Sequence, residues 1–241
     1  MSVKILYSTL LFCGFLTVQT SAQLLSLEGA ALLEKSKKAH DPNQQWDTIQ
    51  LDCYLQEPRL QNPVRYSELK LNNATGAFEL KRNRDEHVST HRIDAEGQAT
   101  TLLNDEITTD EALIQKYRLD PSRNEGYRRF YQTMLGLPMS LDQSLIKSIG
   151  KPTRTIFNRY NAIAIPVSLK EPVISERWIL YLDQQTAKLV GMDLLPNDPE
   201  STGERILLEG AYEIHGLTIP RMHHWYDLAD QSYSGSDIII E

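Results

Sequence analysis

Cysteine is nearly absent from this chain: its 241 residues hold two, Cys13 and Cys53. A disulfide framework of the kind that props up small secreted domains is therefore excluded as the basis of the fold. No apolar run reaches the roughly 20 residues that a membrane-spanning helix needs. Positive charge is also in short supply, with 25 Lys and Arg against 32 Asp and Glu and a formal charge of -7. Basic residues gather in doublets such as Lys37-Lys38 and Arg128-Arg129, not in the wide positive face that a phosphate backbone requires. Nucleic acid is not an expected partner, and anionic membrane surfaces are disfavoured on the same ground. There is no G-x-S-x-G elbow, no phosphate-binding glycine loop and no zinc-protease His-Glu-x-x-His. Catalytic residues, metal ligands and cofactors are accordingly expected to be none.

The N-terminus carries a leader. Lys4 supplies a positive start, residues 5–18 are apolar with small interruptions such as Ser8, Gly14 and Thr17, and Thr20-Ser21-Ala22 offers a small-residue cleavage site. This is the pattern of a secretory signal peptide over residues 1–22, removed after Ala22. The mature chain is expected to begin at Gln23, to be exported and soluble, and to lack a transmembrane segment. Without Lys4 it holds 24 basic against 32 acidic side chains, a charge of about -8. Cys53 then stands alone, alternating with Leu51 and Leu55, as a buried thiol would.

Downstream, the periodicity changes twice. Ser26 can cap a helix to about Ala39, with Glu28 in its first turn and Lys35, Lys37 and Lys38 near its end, before Asp41-Pro42-Asn43 stops it. Strand-like runs follow at 46–56, 65–71, 77–81, 87–93 and 100–103, and read as an antiparallel meander. Thr109 to Glu111 can open a short helix to Tyr117, and 122–135 makes a second, with Tyr127, Phe130, Tyr131 and Met134 at helical spacing until Gly136-Leu137-Pro138. Strands return at 153–160, 162–169, 176–182, 188–195, 205–214, 217–226 and near 238–240. With no linker around it, the helical stretch of about 109–150 reads as an insertion in one domain of 23–241. Alternation in 176–182 puts Trp178, Leu180 and Leu182 on one face and Ile179 and Tyr181 beside Arg177 on the other. A sheet apolar on both faces must be covered twice, or curl around something on one side.

The order of elements, closing on Tyr212-x-Ile214-x-Gly216-x-x-x-Pro220 and then Trp225-Tyr226, resembles the LolA/LolB-like lipoprotein-carrier superfamily of diderm bacteria. His40-Asp41-Pro42 with Trp46, and Phe130-Tyr131 leading into Leu135-Gly136-Leu137-Pro138-Met139, are similar to an uncharacterised exported family within it. The resemblance covers nearly all of the mature chain. It implies an α+β fold: a strongly curved antiparallel β-sheet, a half-barrel wrapped around helices, whose apolar concavity takes acyl chains. It also implies the periplasm or cell envelope of a diderm bacterium, a lipidic or other apolar ligand as partner, and no catalytic residues. Fold alone does not transmit cargo.

Eight residues are candidates for lining that concavity: His40, Trp46, Phe130, Tyr131, Met134, Trp178, His223 and Trp225. His40 reads as a helix cap or a ligand contact. The aromatic seam of Phe130, Tyr131 and Met134 reads as core or as a lid over the concavity. His223 shares a strand face with Trp225, as a hydrogen-bonded structural group or a polar contact at a pocket mouth. His87 and His91, four apart in a strand and so roughly 13 Å from end to end, cannot share a metal and are expected as exposed strand histidines. The rival functions are a structural or interaction module whose concavity is filled by its own helices and, further off, a hydrolase.

Overall fold

The structure is a computed structural model in which residues 26–60, 62–196, 198 and 200–240 are described. The signal-peptide reading of residues 1–22 lies outside them. Helix α1 (Leu27–His40) begins where Ser26 accepts the Gly29 N–H at 3.3 Å, and it buries Gly29, Leu33, Ser36 and His40 in one stripe. The chain then differs from expectation. Residues 46–48 form a 3-10 turn and not a strand, because the Trp46 N–H is held by the Asp41 carboxylate at 2.8 Å while its indole is buried.

Five strands follow: β1 (Gln50–Arg59), β2 (Asn62–Asn72), β3 (Ala77–Arg84), β4 (His87–Ile93) and β5 (Ala99–Leu103). Each pairs antiparallel with the next. Leu51, Cys53 and Leu55 point inward from β1, and burial pushes the Cys53 thiol up to about 12. Next come α2 (Glu111–Tyr117), capped by Asp110, and α3 (Asn124–Leu135). The remaining strands are β6 (Ile146–Ile149), β7 (Thr153–Phe157), β8 (Tyr160–Val173), β9 (Ser175–Asp183), β10 (Leu189–Leu195), β11 (Glu204–Ile214), β12 (Leu217–Asp227) and β13 (Tyr233–Ile240). The run anticipated at 153–160 is cut by a turn, with Asn158 at φ 50°, so β7 and the start of β8 are a hairpin.

Among the described residues all thirteen strands form one sheet, ordered β5-β4-β3-β2-β1-β13-β12-β11-β10-β9-β8-β6, with β7 also on β8. The two halves of the chain join where β1 pairs with β13, and the edges of the sheet are β5 at one end and β6 with β7 at the other. The architecture is the expected α+β fold, an antiparallel sheet that curves strongly without closing and wraps around helices.

Two apolar clusters fill most of the concave side, and α3 is the wedge between them. Met134 packs with Leu33, Leu137, Leu141, Trp178, Leu180 and Met192. Tyr131 and Leu135 pack with Trp46, Leu55, Leu69, Leu80 and Ile239, and Phe130 touches both groups. Each fully buried side chain of this size contributes about 1.5–3 kcal/mol. The outer face of β8 to β10 is covered as well, by Phe157 stacked on Tyr181 at 4.1 Å with Ile179 and Val190 around them, which accounts for the apolar residues on both faces of β9.

Candidate functional site

One end of the concavity stays open. A cavity of about 570 Å³ lies between β1, β2 and β3 on one side and β11, β12 and β13 on the other, with α3 beside it. Its apolar wall is Tyr127, Phe130, Trp225 and Ile174. Its polar wall is unexpected in so acidic a chain: Arg59, Arg65, Arg82, Arg118 and Arg123 face Glu57, Glu204 and Asp237.

The floor is a buried ion cluster. Glu57, 2% exposed, accepts the Ser67 hydroxyl at 2.6 Å, Arg82 at 3.1 Å, Arg65 at 3.2 Å and the Tyr131 hydroxyl at 3.4 Å. Arg82 also donates to Ser67 at 3.0 Å and to the Tyr131 oxygen. A carboxylate taken out of water at this depth needs such partners, since its desolvation costs several kcal/mol. Two guanidinium groups share it, so the floor is net positive. Burial lowers the affinity of Arg65 for its proton, and the adjacent Arg82 and Arg59 charges add to this against the pull of Glu57. The Arg65 Nε is buried with no hydrogen-bond partner among the described residues.

A second bridge closes the far side. The Asp237 carboxylate accepts Arg59 at 2.6 Å and the Trp225 indole N–H at 2.8 Å, fixing the ring that borders the cavity. Glu204 stands at the rim, its carboxyl raised by burial and by Asp227 and Asp237, against the pull of Arg59. Arg118 and Arg123 are exposed and form no ion pair among the described residues. Arg118 terminates α2 in the left-handed region at φ 58°, and Ile174 occupies it at φ 68° in the β8–β9 turn. A β-branched residue held there costs energy, and such sites gather around function.

Helix α3 is pinned at both ends. Asn124, wholly buried, accepts the His91 Nδ1–H at 2.9 Å and donates to the carbonyls of Arg92 and Thr100 at 3.0 and 2.8 Å. His91 is thus buried, not exposed as expected of a strand histidine without a metal, because the helix start folds onto β4. His87 bonds Asn104 at 2.8 Å instead, and the two histidines share no site. No group of three or more potential metal ligands occurs among the described residues.

Of the eight candidate residues, the fold brings Phe130, Tyr131 and Trp225 to the cavity. Met134 and Trp178 lie deeper, in the same sealed cluster, and the Trp178 indole N–H is taken by the Ser175 carbonyl at 2.9 Å. Trp46 lies at the other end of α3, under Gly136. His40 is buried between strands: the Leu189 N–H donates to its Nε2 at 3.0 Å, so Nδ1 carries the proton and donates to the Thr218 carbonyl at 2.7 Å. Burial lowers its pKa, in keeping with a neutral ring. It clamps α1 to β10 and β12 and does not cap its own helix. His223 is 2% exposed, its Nε2 lacks a partner among the described residues, and burial pushes it down to about 4. Sequence reasoning missed the five arginines. Their one shared signal, that each neighbours a turn or an apolar strand position, is too common to single them out.

The fold has counterparts among solved structures. A LolA superfamily protein from Nitrosomonas europaea is similar over 88% of this chain and 91% of its own, with a TM-score of 0.50 and 10% sequence identity. A domain provisionally named for outer membrane lipoprotein sorting, from Vibrio parahaemolyticus, is similar over 89% and 91%, again with a TM-score of 0.50 and 10% identity. The fold is therefore LolA-like, and identity this low carries the fold alone. No curated protein matches the chain in sequence. The sequence profile of a family of unknown function, DUF6503, matches residues 5–241, and the chain belongs to that family.

Proposed function

We propose that the protein is a non-enzymatic, exported protein of the periplasm or envelope of a diderm bacterium, and that it holds an apolar or lipidic ligand at the open end of its sheet. The observation that carries this reading is the cavity of about 570 Å³ walled by Tyr127, Phe130 and Trp225. Its volume falls in the usual range for small-molecule sites, about 300–1,000 Å³, and aromatic walls suit an apolar chain. The leader of residues 1–22 supports export, and among the described residues no helix is long and apolar enough to cross a membrane.

The test is mass spectrometry of organic extracts from protein purified out of its native periplasm, joined to titration with a hydrophobic fluorescent probe. A retained lipid, or saturable probe binding that Phe130→Ala weakens, is the expected result. No retained lipid and no saturable binding would remove the proposal. They would leave the second reading, a structural module with a self-filled concavity, which the packing of Leu33, Met134, Leu137 and Leu141 against Trp178 favours at the closed end.

A further inference from the structure

The chain is acidic, with a formal charge of -7, yet its cavity gathers five arginines against three carboxylates. Two of the carboxylates are spent: Glu57 is shared by Arg65 and Arg82, and Asp237 is divided between Arg59 and Trp225. The third, Glu204, has its carboxyl raised by burial. Asp120, beside Arg118 and Arg123 in sequence, uses an oxygen to hold the Ser122 N–H at 2.9 Å. The cavity lining thus keeps a formal surplus of two positive charges, of which Arg123 is partly offset by the Asp120 carboxylate next to it, alongside a buried Arg65 Nε that has no acceptor among the described residues. Like charges crowded into a partly desolvated wall repel one another, and an anion of matching shape relieves them. Guanidinium forks suit the planar or tetrahedral oxygens of carboxylate and phosphate.

We infer that the ligand is an amphiphile with an oxyanionic headgroup, phosphate or carboxylate. Its headgroup sits against Arg118 and Arg123, backed by Arg65 and Arg82, and its chain lies along Tyr127, Phe130 and Trp225. This rests on the proposed apolar-ligand function and adds the headgroup chemistry to it. Charge selection and chain binding use different walls of one cavity, so they can be separated.

The experiment uses the full mature protein and four probes below their micelle concentrations: dodecyl phosphate, dodecyl maltoside, dodecyltrimethylammonium and inorganic phosphate. Binding is read by calorimetry and by the fluorescence of Trp225, which lines the cavity, with Trp46 and Trp178 outside it as the background. Dodecyl phosphate is expected to bind at least about tenfold more tightly than the neutral and cationic probes, as one or two charge-assisted hydrogen bonds predict. That preference should shrink as salt is raised. The Arg118→Gln/Arg123→Gln pair, at exposed positions, should abolish that preference by weakening dodecyl phosphate far more than dodecyl maltoside, and the Arg118→Lys/Arg123→Lys pair should restore part of it. Equal binding of the neutral and anionic probes, or a preference untouched by the double variant, would overturn the headgroup inference and leave the apolar-ligand function standing. Inorganic phosphate binding as tightly as dodecyl phosphate would also overturn it, in favour of a free-anion site. No binding of any chain-bearing probe would instead remove the proposed function itself.

Discussion

At the C-terminal end of α3, Met134 and Leu135 are sealed by Leu33, Leu137, Trp46 and their neighbours, whereas two turns earlier Tyr127 borders an open cavity ringed by guanidinium groups. Both ends belong to one amphipathic helix with one periodicity, and the same sheet curves past both. What differs is the strands opposite. Toward the closed end they present leucine, isoleucine and tryptophan, and toward the open end Glu57, Arg82 and Asp237. The contrast teaches that a helical stripe of Phe, Tyr and Met identifies an inward face without telling whether protein or ligand completes it.

The largest expected effect tests that contrast directly. Trp178→Ala removes a side chain that is 1% exposed in the sealed cluster, and should cost about 3–5 kcal/mol. Phe130→Ala removes a half-buried ring at the boundary and should cost roughly half as much, because less surface returns to water. Urea denaturation of both variants measures the difference, with probe binding as the second readout. Equal losses of stability, with binding unimpaired in Phe130→Ala, would mean that the open end is simply more core.

Acid provides the next test, on the strand that carries Trp225. His223 lies two residues before Trp225 on the same face of β12 and opposite Asp237 in register. Burial outweighs the nearby Asp237 and lowers its pKa from 6.5 to about 4. The unfolded chain therefore takes up a proton near pH 6.5 that the folded chain refuses until about pH 4. Stability is full above the unfolded value and falls as pH drops through this window, by up to about 3 kcal/mol from this group. His40 and His91, also lowered by burial, add to the loss with the same sign. The urea midpoint should drop between pH 7 and pH 4.5, and less steeply in His223→Phe. An imidazole titrating near 6.5 by NMR would show that water reaches beneath the cavity, and the dry boundary between the two ends would be gone.

Much of the fold was legible because it is written in short range. The Ser26 cap, the alternation of Leu51, Cys53 and Leu55, and the 3.6-residue repeat of α3 each need only a few neighbouring residues. The 3-10 turn at Trp46 and the four-residue β6 were not legible, since the first depends on Asp41 and the second is too short to show a period. The site was harder still. Asp237 reaches Arg59 across 178 residues only because β13 lies beside β1, and His40 finds Thr218 at the same separation. Phe130 and Trp225 could be named from apolar pattern, but an arginine in a strand looks the same whether it faces bulk water or a cavity. The resemblance supplied the curvature of the sheet, and the charge of its open end had to come from the pairing of the strands.

The smallest effects should be the most telling, because they set one helix's two ends against each other with a single methyl group. A Cβ at Gly136, which terminates α3, would lie 2.1 Å from the Trp46 ring and 2.7 Å from the Gln132 carbonyl. Neither neighbour is free to retreat: the ring is 4% exposed in the core, and the carbonyl accepts the Gly136 N–H at 3.2 Å. Gly136→Ala should therefore destabilise by about 1–3 kcal/mol through overpacking. A Cβ at Gly126, in the first turn of the same helix and on the cavity wall, would meet nothing within 4 Å. There alanine restricts the unfolded chain and favours the helix, so Gly126→Ala should stabilise by about 0.5–1 kcal/mol. Thermal unfolding of the two variants should thus move in opposite directions. A loss at Gly126 comparable with that at Gly136 would mean that the helix start is packed as tightly as its end, and that the open cavity beside it closes in solution.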